Sequence, residues 1–514
     1  MKVFLMYMDH DFNLEKVLSP PNEKDLTQDL DLNVLLDAMA GRDKFLNEVA
    51  RKVLLSRLVD PHEILYRQAI LKDCLENSDI VRDFYRIADE AIAGQRDLWG
   101  WYRVSDSPDR ILGSTVRVLQ LLSNKLGELR ALADEHAGKF ESEGFKRLLG
   151  MLKSELSDEY LESIQGHLGE LEFRKGTLVS ARLTEGNKGT DYTLHKRPKS
   201  GGWVQRVLTG SHARQYSYTI DDRDEFGPRM LAEMRERGMN TVANVLAQSS
   251  DHIKGFFKTL KLELAFYIGC LNLYVRLAQI GEQTCFPVPL PAGTSKLSFV
   301  GLYDPCLALR LSRKVVGNDS DANSKNLLVI TGANRGGKTT YLRSVGLAQM
   351  LLQCGSFVPA ESYSADLSSG IFTHFPREED PTMKSGKLDE ELMRMSQTVD
   401  HLSSGCMVLL NESFSSTNER EGSEIARELV EALVERGIKV LFVTHLFDFA
   451  VSLYEKDGRS ALFLRAERNP DGQRTFRIIP GEPLQTSYGG DLYNRVFLQH
   501  GLGDPAPKPG TPPS

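Results

Sequence analysis

The segment that most constrains the fold of this 514-residue chain is a short glycine-rich stretch, residues 332–339. It reads Gly-Ala-Asn-Arg-Gly-Gly-Lys-Thr and matches the pattern G-x-x-x-x-G-K-[ST]. An apolar, strand-like run, 326–331, precedes it, and a helical pattern, 339–354, follows it. A strand, a glycine-rich turn and a helix in this order form a phosphate-binding loop. The sequence therefore predicts an α/β domain that binds a nucleotide.

Each residue type in this turn has its own task. Glycines let the backbone N–H groups wrap a polyphosphate, and the amino end of the following helix adds a positive dipole. We expect Lys338 to reach the outer phosphates and the Thr339 hydroxyl to ligate Mg²⁺. A strand–helix turn without a ligand is the alternative. The residues expected to bind the nucleotide are Gly332, Ala333, Asn334, Arg335, Gly336, Gly337, Lys338 and Thr339.

Two later strand ends carry side chains that ATP hydrolysis would need. The strand-like run 407–410 is followed by Asn411 and Glu412, where a Walker-type ATPase has an acidic residue for magnesium and a general base. Glu412 is a candidate base, with capping of the next element as the alternative. Since the neutral amide of Asn411 cannot supply the carboxylate charge that orders hydrated Mg²⁺, we expect slow hydrolysis. His445, after the run 440–444, could polarise the attacking water, or it could be structural.

Apolar periodicity divides the rest of the chain. Apolar residues recur three and four apart over 33–152 and again over 224–281, which predicts long helices. Between them, 171–220 contains alternating runs separated by glycine and proline, a pattern typical of short antiparallel strands. After Pro287, strand-like runs alternate with helical patterns, so we expect a mostly parallel sheet there.

Composition narrows the class of protein. Hydrophobic residues make up 41% and charged residues 26% of the chain, as in globular proteins. Six cysteines without a CxxC pair argue against a disulfide framework or zinc ribbon and fit the reducing cytoplasm, with association with the nucleoid if the source is bacterial. The most apolar stretch, 256–280, contains Lys258, Lys261 and Glu263, so we expect a core helix there and no contact with a membrane.

The loop and the segments after it resemble the ATPase domain of the MutS family. The family pattern I-T-G-P-N-x-G-G-K-[ST]-T is similar to residues 330–340, and Thr340, which ends it, joins the expected nucleotide-binding residues. Further similar segments are 355–360, 371–373, 409–412, Ser416-Thr417, Thr444-His445 and 487–489. The resemblance is specific over about 318–490 and weaker in the helical region.

The resemblance implies a multidomain α + α/β fold. A helical MutS-like core and lever domain would contain a small β-rich insertion, and an α/β domain of the ABC-type P-loop NTPase class would follow it. The expected domains are 1–170, helical core and first lever helix; 171–222, basic insertion at the position of the family's clamp; 223–290, returning lever helix; 291–495, ATPase domain; and 496–514, proline-rich disordered tail.

By the same resemblance, the expected cofactors are ATP and Mg²⁺. Asn334 would lie near the γ-phosphate, and Thr339 and Asn411 would face the metal. Glu412 would orient or deprotonate water, with His445 supporting the transition state. The expected protein is an ATPase that forms a homodimer through its ATPase domains and couples the nucleotide state to duplex or branched DNA, in mismatch repair or a related role. Two alternatives stay open: a nucleotide-gated scaffold with negligible hydrolysis, and a relative directed to RNA, a ribosome or a protein.

Departures from the family pattern predict a cut-down relative. The sequence leaves no room ahead of the core for a mismatch-reading domain, and no Phe-x-Glu precedes the ATPase motifs. In the loop that a partner subunit should present to the γ-phosphate, Ser385 is offset by one residue. The Walker-type aspartate is replaced by Asn411, and no dimerising extension follows Tyr493. We therefore expect DNA binding that does not use the aromatic wedge of a mismatch sensor.

The β-rich segment is the candidate nucleic-acid surface. The whole chain has a formal net charge of −7, so a nucleic-acid contact needs a local basic patch. Between 171 and 215, nine basic side chains stand against three acidic ones, which suits contact with backbone phosphates, although a solvated hairpin surface is the alternative. The candidate residues are Arg174, Lys175, Arg182, Lys188, Lys196, Arg197, Lys199, Trp203 and Arg206.

Overall fold

Helices account for most of the regular structure before residue 281. The structure is a computed structural model. It describes residues 1–100, 108–171, 177–185, 189–195, 219–221, 223–377, 386–457, 460–469 and 474–483. The chain divides into two units, the first comprising Met1–Phe12 and Glu76–Leu264 and the second comprising Asn13–Leu75 and Ala265–Ser514. The α + α/β class predicted from the sequence is confirmed at the level of a mixed helical and α/β chain with several sheets.

The helices have the following bounds. They are α1 (Glu23–Asp29), α2 (Leu32–Ala40), α3 (Lys44–Leu55), α4 (Pro61–Glu76), α5 (Ser78–Gly100), α6 (Pro108–His136), α7 (Glu143–Glu155), α8 (Asp158–Glu170), α9 (Phe226–Ile280), α10 (Pro305–Leu311), α11 (Lys338–Gln353), α12 (Lys387–Val399), α13 (Glu419–Glu435) and α14 (Phe447–Asp457), with short 3₁₀ turns at Leu14–Lys16 and Ala137–Lys139. None of the helices in the described ranges is both long enough and apolar enough to cross a membrane.

Helix α3 shows why these segments are helical. The Asp43 carboxylate accepts hydrogen bonds from the N–H groups of Phe45 and Leu46, which satisfies two of the otherwise unpaired donors of the first turn. Buried apolar residues then recur at helical spacing. The buried residues of this helix are Leu46, Val49, Ala50, Val53, Leu54 and Leu55.

The strands form three sheets in the described part of the chain. They are β1 (Leu178–Leu183), β2 (Gly189–His195), β3 (Val288–Leu290), β4 (Leu297–Leu302), β5 (Asn318–Asp321), β6 (Leu327–Thr331), β7 (Ser362–Asp366), β8 (Ile371–His374), β9 (Met407–Asn411), β10 (Lys439–Val443), β11 (Ala461–Arg468) and β12 (Arg474–Pro480). In order across the sheets, β1 pairs with β2, six strands run β12-β11-β6-β10-β9-β8, and four run β3-β7-β4-β5.

The six-stranded sheet belongs to the second unit and positions the candidate site. Strands β11, β6, β10, β9 and β8 are parallel, and β12 is antiparallel to β11. Every residue of β6, β9 and β10 is buried, as expected for parallel strands that are covered on both faces. In register, Val443 of β10 pairs with both Asn411 and Ile330. The carboxyl ends of these three strands therefore lie side by side at one edge.

Residues 13–75 belong to this same unit. The side chain of Asn22 donates to the carbonyl oxygen of Ile371 in the edge strand β8 at 2.8 Å. Arg343 of α11 forms an ion pair with Asp31 at 2.5 Å, and Arg377 forms ion pairs with Asp25 and Asp29. The sequence-based division grouped these residues with the helical core, whereas the structure groups them with the larger sheet because these polar contacts and the packing of α1 to α3 lie there.

The first unit is a helical assembly with the β1–β2 hairpin. One apolar cluster joins α6, α8 and α9, and its buried residues are Leu112, Val116, Leu119, Leu168, Met239 and Ala243. In α9, Glu263 is fully buried and its carboxylate accepts hydrogen bonds from the backbone N–H groups of Leu5, Met6 and Phe12. Burial raises the pKa of Glu263 to about 7. Glu263 thus ties the amino-terminal residues to α9.

Candidate functional site

The turn between β6 and α11 has a backbone that requires glycine. Gly332 and Gly337 have φ values of 112° and 95°, a region that other residues rarely adopt. A Cβ atom on Gly336 would lie 2.9 Å from the carbonyl oxygen of Ala333 and 2.7 Å from the Cβ atom of Ala466 in β11. The glycines that match the sequence pattern are thus the ones that this tight loop needs, and a larger side chain would push the loop open.

Lys338 is the first residue of α11 and its ammonium group lies inside the loop. Its Nζ atom donates to the carbonyl oxygens of Gly332 at 2.8 Å and Ala333 at 3.1 Å, and the side chain is buried. Burial lowers the pKa of Lys338 to about 8, and nearby Arg474 lowers it further, while Glu412 opposes that shift. The cation is therefore incompletely compensated, and an anion in the loop would stabilise it.

A hydroxyl and an amide oxygen meet beside the loop. Thr339 Oγ1 donates to Oδ1 of Asn411, the last residue of β9, at 3.0 Å. Oxygen ligands are those that Mg²⁺ prefers, so this pair fits the hydrated ion, although Asn411 supplies no negative charge. The two residues predicted to face the metal are thus adjacent in the structure.

Glu412 and His445 form a hydrogen-bonded pair at the same edge. Glu412 Oε1 lies 2.9 Å from His445 Nε2, and Lys338 Nζ lies 3.4 Å from that nitrogen. A carboxylate only accepts, so Nε2 carries the proton and donates it to Glu412. This hydrogen bond holds the pKa of Glu412 below its ordinary value despite partial burial. The carboxylate is ionised at neutral pH, as a general base must be.

Glu412 does not cap the helix that follows it. Helix α13 is capped by Asn418, whose side-chain oxygen accepts from the Glu421 N–H at 3.0 Å. Glu412 adopts a left-handed φ of 52°, and its N–H donates to the Val443 carbonyl oxygen at 2.7 Å. Its side chain instead contacts His445, beside the glycine loop.

The remaining predicted residues are placed as follows. Asn334 and Arg335 are exposed at the tip of the loop, and Thr340 is half-buried in α11. Of the nucleic-acid candidates, the structure describes Arg182, which is exposed and lies 3.7 Å from Asp191 on the adjacent strand. The others fall outside the described residues, namely Arg174, Lys175, Lys188, Lys196, Arg197, Lys199, Trp203 and Arg206. Ser385 falls outside them as well.

Sequence reasoning missed a cavity of about 570 Å³ between β4, β5 and β12. Its wall includes Val315, Asn318, Arg477 and Ile478. Arg477 in this wall follows Phe476, whose carbonyl oxygen is 3.1 Å from where a Cβ atom of Gly337 in the glycine loop would be. Its residues come from segments more than 150 positions apart, so no local motif could have indicated it.

Two family models match this chain. The model of the MutS2 N-terminal domain matches residues 59–280, and the model of MutS domain V matches residues 328–496. The first contains α4 to α9 completely. The second contains the six-stranded sheet except Leu327, together with the glycine loop and Asn411, Glu412 and His445.

Individual proteins with MutS names are also similar to this chain in sequence. A DNA mismatch repair protein MutS from Methanosarcina mazei is 30% identical over 234 residues, which is 44% of this chain and 26% of the relative. One from Lactobacillus helveticus is 24% identical over 466 residues, 88% of this chain and 50% of the relative. The mouse MutS protein homolog 4 is 28% identical over 244 residues, 45% and 24% of the two chains. This chain thus spans about a quarter to a half of the length of these relatives.

Proposed function

The chain belongs to the MutS family, a family of mismatch-repair-related ATPases, and from this premise we propose that it is itself an ATPase that couples its nucleotide state to DNA binding. The observation that carries the proposal is the convergence of five side chains on the glycine loop at one sheet edge. These are Lys338, Thr339, Asn411, Glu412 and His445. Their arrangement is what nucleotide binding and water activation require of an ABC-type P-loop domain.

The roles of these groups follow from their positions. The loop N–H groups and Lys338 would bind the β- and γ-phosphates, whose charge would also restore the pKa of the buried lysine. Bound Mg²⁺ would neutralise charge on the phosphates beside Thr339 and Asn411. Glu412 would accept a proton from the attacking water, and His445 would keep that carboxylate oriented and ionised.

We infer that the cavity between β4, β5 and β12 holds the nucleoside. Arg477 in its wall follows Phe476, which meets Gly337 of the glycine loop, and its volume of about 570 Å³ is within the range of small-molecule sites. Asn318 Oδ1 accepts from the Ile478 N–H at 2.7 Å, which joins β5 to β12 across the cavity wall. Arg477 would lie beside the ribose or base. The nucleotide would thus span from the cavity to the loop.

Dimerisation and DNA binding complete the proposal. The domain organisation proposed from the sequence places a basic insertion, 171–222, inside the segment that matches the MutS2 N-terminal domain. Relatives named as DNA mismatch repair proteins support DNA as the ligand, and duplex or branched DNA is the form we propose. Two protomers would associate through their ATPase domains around the nucleotide, and hydrolysis would alternate the protein between two states of its lever helices.

The nucleic-acid proposal is tested by steady-state ATP turnover and binding with duplex, branched and mismatched DNA and with structured RNA, at several salt concentrations. We expect binding to DNA that weakens as salt rises, since phosphate contacts release counterions. Arg197→Glu with Lys199→Glu should weaken it on the order of 10-fold or more, whereas Arg420→Glu with Lys456→Glu, exposed charges of the second unit, should not. Unchanged binding by the first pair would refute the basic insertion as the site, and preference for RNA would favour the alternative ligand.

Asn411 favours a second candidate, a nucleotide-gated scaffold that binds ATP with little hydrolysis. Replacing Asn411 with aspartate restores the missing carboxylate beside Thr339, so we expect turnover to rise about 3- to 30-fold at saturating Mg²⁺. The comparison is ATP turnover against equilibrium ATP binding in the wild type and in Asn411→Asp. If the wild type binds ATP without hydrolysing it and Asn411→Asp is active, the protein is the nucleotide-gated scaffold. Equal turnover in the two proteins would show that the missing carboxylate does not limit the rate of hydrolysis.

A further inference from the structure

Glu391, in α12, holds the loop that follows the candidate base. Its side chain is buried, with 5% of its surface exposed. One carboxylate oxygen, Oε2, accepts from the backbone N–H of Phe414 at 3.1 Å, and the other, Oε1, accepts from the Ser416 hydroxyl at 2.9 Å. Both oxygens are therefore used to fix residues that lie two and four positions after Glu412.

The backbone of this loop needs such support. Glu412 and Phe414 both have left-handed φ values, 52° and 64°, which cost roughly 1 kcal/mol or more each outside glycine and persist only where neighbouring groups enforce them. The hydroxyl of Ser415 donates to the Glu412 carbonyl oxygen at 2.7 Å, so the strained residues share one turn. Loss of the hydrogen bond to the Phe414 N–H would leave a buried donor unsatisfied and allow this turn to relax.

His374 adds a second connection between the same elements. Its Nε2 lies 3.2 Å from the carbonyl oxygen of Glu391, which can only accept, so Nε2 carries the proton. Its Nδ1 lies 2.7 Å from the Ser413 hydroxyl oxygen, which is also 3.1 Å from the carbonyl oxygen of His374. Burial lowers the pKa of His374 to about 4, so the ring stays neutral and keeps these roles at neutral pH. Strand β8, helix α12 and the loop after Glu412 thus form one hydrogen-bonded group.

From these contacts we propose that Glu391 is a positioning residue for Glu412. By holding Phe414 and Ser416, it keeps the Glu412 carboxylate at His445 Nε2 and links that geometry to α12. Glu391 touches neither the glycine loop nor Lys338 in the described contacts, so its effect is on the placement of the base and not on nucleotide binding. The inference rests on the proposed ATPase function.

The test compares Glu391→Ala with Glu391→Gln. In the glutamine variant the amide oxygen can accept from Phe414 and the amide nitrogen can donate to the Ser416 hydroxyl oxygen, so the loop stays supported. We expect Glu391→Ala to lower kcat about 10- to 100-fold, with KM and the equilibrium affinity for ATP within about 3-fold, since a small misplacement of a catalytic group costs rate and not affinity. Glu391→Gln should retain at least about a third of kcat.

Rescue by glutamine distinguishes positioning from general loss of structure. Glu391→Gln keeps both contacts with the loop and should restore kcat, whereas Glu391→Ala should lower kcat at an unchanged KM and an unchanged melting temperature. Glu390→Ala, on the same helix, is the matched control and should behave as wild type. If the alanine variant does not fold, Ser416→Ala provides the test and should lower kcat about 3- to 10-fold at unchanged KM.

Two outcomes contradict the inference, and they are separable from failure of the proposed function. If the wild type hydrolyses ATP and Glu391→Ala or Ser416→Ala has the same kcat as the wild type, the positioning role is overturned and the ATPase proposal is not. A fall in ATP affinity as large as that in kcat does the same, because it assigns Glu391 to nucleotide binding or to the fold. If both the wild type and Asn411→Asp bind ATP and neither hydrolyses it, the ATPase proposal is overturned and this inference with it.

Discussion

Replacing Lys338 with methionine is expected to weaken ATP binding at least about 100-fold without lowering the melting temperature of the nucleotide-free protein. Charge-assisted hydrogen bonds to phosphate are worth roughly 1.5–3 kcal/mol each, and about 2.7 kcal/mol corresponds to 100-fold. The Nζ atom of Lys338 lies inside the loop at 2.8 Å from the Gly332 carbonyl oxygen, so the variant removes the group best placed for the outer phosphates.

The stability of the same variant follows from the buried charge. Burial lowers the pKa of Lys338 to about 8, below its unfolded value of 10.5, so the charged form is less stable in the folded state. As pH rises, the folded state loses this proton before the unfolded state does, so the free energy of unfolding should rise between about pH 8 and pH 10.5. This rise should be absent in Lys338→Met. Methionine keeps the length of the side chain and removes the desolvated charge.

Calorimetric titration with ATP and thermal melts of the nucleotide-free protein measure both effects. Lys456→Met, an exposed lysine of α14, is the matched control and should change neither quantity appreciably. ATP affinity within a few-fold of wild type in Lys338→Met would refute the glycine loop as the phosphate site. A large fall in melting temperature would instead show that the lysine supports the fold of the loop.

Glu412→Gln is expected to lower the rate of ATP hydrolysis about 10²- to 10³-fold and to leave ATP affinity within a few-fold of wild type. Removing a general base typically costs 10²–10⁴ in rate. The glutamine oxygen can still accept from His445 Nε2, so the geometry of the pair should survive while the ability to take a proton is lost. The ATP-bound state should therefore accumulate.

Single-turnover hydrolysis and size-exclusion chromatography with ATP test this prediction. If the proposed dimer forms around ATP, Glu412→Gln should remain dimeric with ATP for longer than wild type. Glu435→Gln, at the exposed end of α13, controls for the loss of one negative charge. Wild-type turnover in Glu412→Gln would mean that another group activates the water, and loss of both binding and hydrolysis would make Glu412 a nucleotide-binding residue.

The sheet around the site could be predicted closely because its strands are buried on both faces. The runs predicted at 326–331, 407–410 and 440–444 correspond to Leu327–Thr331, Met407–Asn411 and Lys439–Val443 in the structure. Such strands are continuous apolar segments, and their polar ends mark the edge at which ligands bind in α/β sheets. For the same reason the sequence identifies Asn411 and His445 as candidate site residues, while the glycine-rich pattern identifies Lys338.

Other features depend on contacts between distant segments. The sequence pattern of residues 13–75 is helical like that of the residues after them, and periodicity alone does not tell which sheet or helix their apolar faces cover. Arg343 and Arg377 of the second unit, with their aspartate partners in α1 and at the start of α2, place these residues beside the larger sheet. The sequence likewise does not distinguish Glu391 from the other carboxylates of its helix, because its two hydrogen bonds are to residues of a separate loop.

By itself, the sequence determined the class of the chain, its family, the glycine loop and the identity of the side chains at two strand ends, because these depend on local backbone requirements and on continuous apolar runs. Only the tertiary structure decided that Glu412 is ionised against His445, that Lys338 is buried and has a lowered pKa, and that Glu391 holds the loop beside them. These properties depend on distance and on exclusion of water, and both arise when segments far apart in the chain pack together.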